Sequence, residues 1–166
     1  MFTLPRMLTR GLRSAKIALA AAIAGLVLAA GAATGAAHAA QNTGPEARKI
    51  EIVIDKKTQR MAVYVGGEKR HEFAVSTGRA GYTTPSGTFR PSSMHKMAIS
   101  VKYGNTPMPH SIFFTRVGHA IHATTALKQL GRTASHGCIR LSPENAKLLY
   151  QLVQQMGLEN TTIRIV

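Results

Sequence analysis

Ser135-His136-Gly137-Cys138-Ile139-Arg140-Leu141 contains the one cysteine of this 166-residue chain. A single cysteine leaves no partner for an internal disulfide. In an oxidising compartment such a thiol is either an intermolecular link or a free reactive group. Its setting favours reactivity: a His and a Gly precede it directly, and a second candidate base, His122, lies sixteen residues upstream.

The N-terminus marks the chain for export. Arg6, Arg10, Arg13 and Lys16 form a basic start, Ile17 to Ala33 is uncharged and apolar, and Ala37-His38-Ala39 has the small-x-small pattern of a cleavage site. Residues 1–39 therefore read as a signal peptide, 40–48 as a linker and 49–166 as one folded domain. The rival reading is an uncleaved membrane anchor, but much of the apolar run is Ala and Gly, which insert weakly. No cysteine near the boundary accepts a lipid and no twin-Arg pair is present, so the general secretory route is expected. The expected location is the periplasm or cell wall.

Removing residues 1–39 leaves 17 Lys and Arg against 7 Asp and Glu, a net charge of +10. Such an excess is either a solvated basic surface or an attraction to polyanions. Nucleic acid is excluded as a partner, because the bases are scattered and no aromatic-studded patch or binding motif accompanies them. A carboxylate-rich wall or an anionic membrane face fits the charge better.

Ile50, Ile52 and Ile54 alternate with Glu51, Val53 and Asp55, the period of a strand. Met61–Val65 and Glu72–Ser76 read as a second and third strand, with Gly66-Gly67 between them to turn the chain. Further strands are expected near Phe89, at 98–101, 111–114, 120–122 and 161–166. One helix stands out. It starts with Ser142 as N-cap, Pro143 at its first position and Glu144 beside its positive end. Ala146, Leu149, Val153 and Met156 form its apolar stripe, and Gly157 ends it. Many short strands and one main helix predict a compact, mostly β domain.

A thiol near its ordinary pKa of about 8.5 is mostly protonated at neutral pH, so a cysteine nucleophile needs a neighbouring base or cation. If Ile121-His122 ends a strand, that strand brings an imidazole to the thiol from across the sheet. Gly137 permits a tight turn that aims its own N–H and that of Cys138 at a developing oxyanion. Arg140 is placed to hold a substrate carboxylate in a two-pronged contact, or else to brace the loop before the helix cap. A zinc site built from His119, His122, His136 and Cys138 is the competing use of these residues. Residues three apart on a strand face opposite sides, which argues against His119 and His122 sharing an ion. His71 and His95 read as surface residues.

Taken together, Ser135-His136-Gly137-Cys138-Ile139-Arg140-Leu141 and Ala120-Ile121-His122 resemble the signature of the YkuD-type L,D-transpeptidases. Ser76-Thr77-Gly78, Thr84-Pro85-Ser86-Gly87-Thr88-Phe89 and Met108-Pro109-His110-Ser111-Ile112-Phe113-Phe114 are similar to further segments of that family, in the same order. The resemblance covers roughly residues 49–166. It departs at Ala123, where the family usually has Gly or Ser. There the backbone carbonyl orients the imidazole, and Ala keeps a carbonyl.

The resemblance implies a YkuD-like β-sandwich or barrel-like domain with one main helix after the catalytic loop. It implies that Cys138 attacks a peptidoglycan tetrapeptide stem, releases D-Ala, and passes the acyl group to an amine of a second stem. His122 is then the base, and Ser135, His136, Gly137 and Arg140 line the substrate and oxyanion sites. No metal or organic cofactor is implied, stem peptides are the partners, and a monomer is expected. A membrane contact is expected only through an uncleaved leader. Two alternatives remain at this level: a hydrolase that uses the same pair with water as acceptor, and a non-catalytic wall-binding domain.

Overall fold

Strand β1 (Ile50–Asp55) buries Ile50, Ile52 and Ile54 to 1% exposure or less, and its intervening residues are only half-buried. The alternation therefore puts a complete aliphatic row on the core face. The computed structural model describes Gly44 and residues 48–166, so the signal-peptide reading and most of the linker lie outside the described residues. Among the described residues, all strands and the α-helix fall between Ile50 and Ile165.

Two sheets carry the domain. In the first, β1 pairs antiparallel with β2 (Arg60–Val65), which pairs antiparallel with β3 (Glu68–Ala74). On its other side β1 runs parallel to β9 (Thr161–Ile165), and β4 (Gly87–Phe89) closes that edge. The second sheet has the order β5 (Ser93–Ser100), β6 (Thr106–Phe113), β7 (Ala120–Ala123), β8 (Ile139–Leu141), with β7 and β8 parallel. Helix α1 (Pro143–Met156) packs against β6, β7 and β8. Ile112, Ile121, Ile139, Leu141, Leu149 and Ile163 join residues of both sheets and the helix in one buried cluster. The fold is mostly β with one helix, as the sequence predicts.

Helix α1 follows the expected chemistry closely. Ser142 Oγ accepts from the Asn145 N–H at 3.3 Å, Pro143 is the first helical residue, and the Gly157 N–H donates to the Val153 carbonyl past the last turn. Ala146, Leu149 and Val153 are buried, while Met156 is only partly covered. Emptying the Leu149 site would cost about 2–5 kcal/mol.

Strand boundaries differ from the sequence reading where turns and prolines intervene. Gly66 and Gly67 both have positive φ, at 60° and 83°, the pair of conformations of a type I′ turn. Pairing therefore begins at once with Val65 opposite Glu68, and β3 occupies 68–74 rather than 72–76. Likewise β6 begins at Thr106 and contains Pro107 and Pro109. Its neighbour β7 reaches only Ile112 and Phe113, so the proline half of β6 is paired on one side only, by β5. That pairing extends β5 back to Ser93, and Val101 moves out of the expected strand into a 3-10 turn at Val101–Tyr103. Among the described residues, no helix is long and apolar enough to cross a membrane.

Candidate active site

β7 and β8 lie side by side and parallel, with Ile121 opposite Ile139 and His122 opposite Arg140. Cys138 stands immediately before β8, so adjacent strands deliver the thiol and the imidazole to one cleft. The two side chains line a 130 Å³ cavity together with His136, Arg140 and Met108.

The turn that presents Cys138 is held from inside. Ser135 is fully buried; its Oγ donates to the Cys138 carbonyl at 2.5 Å and accepts from the Gly137 N–H at 3.1 Å. This corrects one expectation: the Gly137 N–H, read as an oxyanion donor, is taken by Ser135 within the turn. The Cys138 N–H stays the candidate of that pair. Gly137 has φ +106°, and a Cβ there would stand 2.9 Å from His119 Nε2, so both conformation and space select glycine.

A second layer fastens this turn to the segments around Thr77 and Thr84. The Thr77 carbonyl accepts from the Ala134 and Ser135 N–H groups, at 3.0 and 2.9 Å. Buried Thr84 donates its hydroxyl to the Gly137 carbonyl at 2.9 Å and accepts from the Gly78 N–H at 2.8 Å. Gly78 leaves no room for a side chain, since a Cβ would meet the Tyr82 carbonyl oxygen at 1.7 Å. Gln59 secures the same segment from beneath: its Oε1 accepts from the Thr77 N–H at 2.8 Å and its Nε2 donates to Thr77 Oγ1 at 2.7 Å. Sequence reasoning picked out the Thr77 and Thr84 segments but assigned no task to Thr84 or Gln59. Their partners lie 53 and 18 residues away, and no local pattern carries that signal.

His122 is 6% exposed, and its Nδ1–H donates to the Ala123 carbonyl at 2.7 Å. That contact leaves Nε2 as the acceptor of a neutral ring. Burial depresses its pKa to about 4; the Ala123 carbonyl opposes the shift and Arg140 adds to it. Burial pushes the Cys138 thiol up, against smaller effects of the Ala120 backbone and Arg140. Both shifts favour an uncharged thiol beside an uncharged imidazole at neutral pH. The two side chains are therefore both uncharged rather than a thiolate–imidazolium pair.

His136 lines the same cavity and is held by residues outside this pair. Arg79 Nη2 donates to its Nε2 at 2.7 Å, Tyr103 stacks on its ring at 4.6 Å, and Tyr82 meets it edge-on at 4.6 Å. Burial, Arg79 and Arg140 lower its pKa, in that order. Arg140 Nη1 donates to Gln129 Oε1 at 2.9 Å, and its backbone exchanges two bonds with Ser76. The guanidinium thus has a side-chain brace, located at Gln129 rather than in the loop before Ser142. It also lines a 540 Å³ cavity with His122, Pro107, Pro109 and Ala126. A 310 Å³ cleft that also reaches Cys138 is lined by His119, Val101, Lys102 and Val117. His119 is tied to Thr115 Oγ1 through both its amide and Nδ1, at 2.9 and 3.0 Å. Among the described residues, no group of three or more His, Cys, Asp or Glu is placed to hold a metal ion.

Residues 49–165 match the model of the YkuD family, the L,D-transpeptidase catalytic domain. The chain belongs to this family. Its curated relatives include the Bacillus subtilis protein named "Putative L,D-transpeptidase YqjB", 24% identical over 114 residues, which are 61% of this chain and 65% of that protein. A solved structure of the L,D-transpeptidase LdtMt1 with imipenem superposes with a TM-score of 0.64 at 20% identity, over 70% of this chain and 58% of the other. An L,D-transpeptidase from Stackebrandtia nassauensis superposes at 0.62 with 26% identity, over 71% and 55% of the two chains. The chain therefore spans less than two thirds of the length of these relatives. The mostly β fold is shared with the two solved structures.

Proposed function

We propose that this domain is an exported peptidoglycan L,D-transpeptidase that works through a Cys138 thioester. The observation that carries the reading is the fixed tautomer of His122. Its Nδ1–H is held by the Ala123 carbonyl, so Nε2 is left to take a proton on the strand beside the Cys138 loop. Membership of the YkuD family supports the substrate class, a tetrapeptide stem.

In the first half-reaction Cys138 Sγ attacks the carbonyl that joins the third stem residue to the terminal D-Ala. The S–H proton passes to His122 Nε2, and the Cys138 N–H faces the developing oxyanion. The C–N bond then breaks, the proton returns to the departing amine, and D-Ala leaves with an acyl thioester in place. In the second half an amine of another stem attacks the thioester, His122 takes its proton, and the thiol is regenerated as the new amide forms. Bond energy conserved in the thioester drives the exchange without a cofactor. A neutral resting pair suits this cycle, because the proton moves only as sulfur begins to bond. Arg140, at the border of the two cavities next to His122, is positioned for the carboxylate of the leaving D-Ala.

Mass analysis of products from purified disaccharide-tetrapeptide tests the reading. Cross-linked dimers with free D-Ala are expected. Tripeptide with free D-Ala and no dimer would make water the acceptor, and no D-Ala release at all would overturn the assignment.

A further inference from the structure

Acidic residues are absent from the half of the domain that holds the cleft. Between Phe73 and Pro143 the chain has eight Lys and Arg and no Asp or Glu. The described ion pairs, Lys69–Glu72, Arg70–Glu68 and Arg164–Glu51, all join residues of the first sheet. The cations of the second sheet and its loops thus face solvent without carboxylates from their own part of the chain.

The same region exposes most of the large apolar side chains that face water. Val101 is 79% exposed and Val117 83%, each at a turn, and each next to a base, Lys102 and Arg116. Met97 and Ile99 share one face of edge strand β5, and Val101 follows directly in the 3-10 turn Val101–Tyr103. Val101, Val117, Ile99 and Lys102 all line the 310 Å³ cleft whose floor includes Cys138. The aliphatic tips and their bases therefore form one rim. Leu127 beside Lys128 repeats the pairing near the larger cavity, which neighbouring Ala126 lines.

We propose that this rim docks on the surface of an anionic lipid bilayer, with Val101, Val117, Ile99 and Met97 entering the headgroup–acyl boundary and Lys102 and Arg116 meeting lipid phosphates. Two features select a membrane over other anions. A soluble wall polymer needs the cations but gains nothing from bare aliphatic tips. A protein partner would be met by a broad face, whereas the two most exposed of these side chains, Val101 and Val117, stand on separate turns that each enter a soft surface independently. Protruding aliphatics flanked by Lys and Arg are the chemistry of interfacial binding, in which burial of apolar area adds to attraction by anionic headgroups. This surface goes beyond the proposed reaction and is tested by binding alone.

The experiment is flotation of the chain from Ala40 onward, which contains every strand and helix of the described residues, with two kinds of vesicle. One is phosphatidylcholine alone and the other phosphatidylcholine mixed with phosphatidylglycerol. Binding is expected only to the anionic vesicles and weakens as salt is raised past about 0.1 M. Val101→Ser with Val117→Ser lowers the partition coefficient about tenfold or more, the scale expected for two half-buried isopropyl groups. Its melting temperature stays that of the wild type, because both sites are exposed. Lys102→Glu with Arg116→Glu removes binding. No binding to phosphatidylglycerol vesicles would overturn the proposal. So would equal binding by the Val101→Ser/Val117→Ser protein, which would leave only a patch for soluble anions.

Discussion

Thr84→Val probes the link between fold and nucleophile most sharply. The substitution keeps the shape of the side chain and removes one hydroxyl, which at 1% exposure has no water to replace it. That hydroxyl gives its proton to the Gly137 carbonyl at 2.9 Å and receives one from the Gly78 N–H at 2.8 Å. Valine leaves both backbone groups buried without this partner, at about 1–3 kcal/mol each, so a total loss of about 2–6 kcal/mol is expected. For a domain of this size that corresponds to a fall in melting temperature of about 10 °C. The same loss frees the turn that carries Cys138, so acylation should slow even well below the melting transition. Thr84→Ser, which keeps the oxygen, should recover most of both effects. Denaturant unfolding read beside the rate of thioester formation separates the contributions. A Thr84→Val protein with wild-type stability and wild-type acylation would refute this account of how the turn is held.

Four further outcomes follow from the site. For His122, the acid limb of the acylation rate should fall near pH 4, with a plateau through neutrality, because the ring stays neutral until its depressed pKa is reached. Its folded pKa lies below the ordinary 6.5, so the unfolded chain binds the proton first. Its stabilising contribution of about 3 kcal/mol is therefore complete above about pH 6.5 and is lost as pH falls toward 4, which unfolding at a series of pH values measures. For Arg140→Lys, acylation by a carboxylate-bearing stem should fall far more than modification by a small neutral thiol reagent; equal losses with a lowered melting temperature would reduce Arg140 to its bond with Gln129. His136→Ala removes the ring shared by Arg79, Tyr82 and Tyr103, so it should raise KM more than it lowers kcat. A selective loss in kcat would instead place His136 in the proton path.

What could be read directly from the sequence was what repeats over short distances. Ile50, Ile52 and Ile54 declared β1 by alternation, and Ser142, Pro143 and Gly157 bounded α1 by cap chemistry. Strand ends drifted where the deciding fact was a neighbour: the type I′ turn at Gly66-Gly67 started β3 early, and the short reach of β7 let Pro107 and Pro109 sit within β6. The site divided along the same line. Cys138 stood out as the one cysteine and His122 as an imidazole closing an apolar strand pattern, and parallel pairing of β7 with β8 brings their segments together. Thr84, Gln59 and the Ser135 clamp on the Gly137 N–H did not stand out. Each acts through one buried polar atom, and the identity of its partner exists only once the chain has folded.

The central claim is that Cys138 carries the acyl group, and peptide mapping of the enzyme quenched during turnover of a disaccharide-tetrapeptide tests it most directly. The account predicts one adduct, on the peptide containing Cys138, with the mass of the stem less D-Ala, formed together with free D-Ala and absent from Cys138→Ala. An adduct on another residue, or cross-linking retained by folded Cys138→Ala, would contradict it.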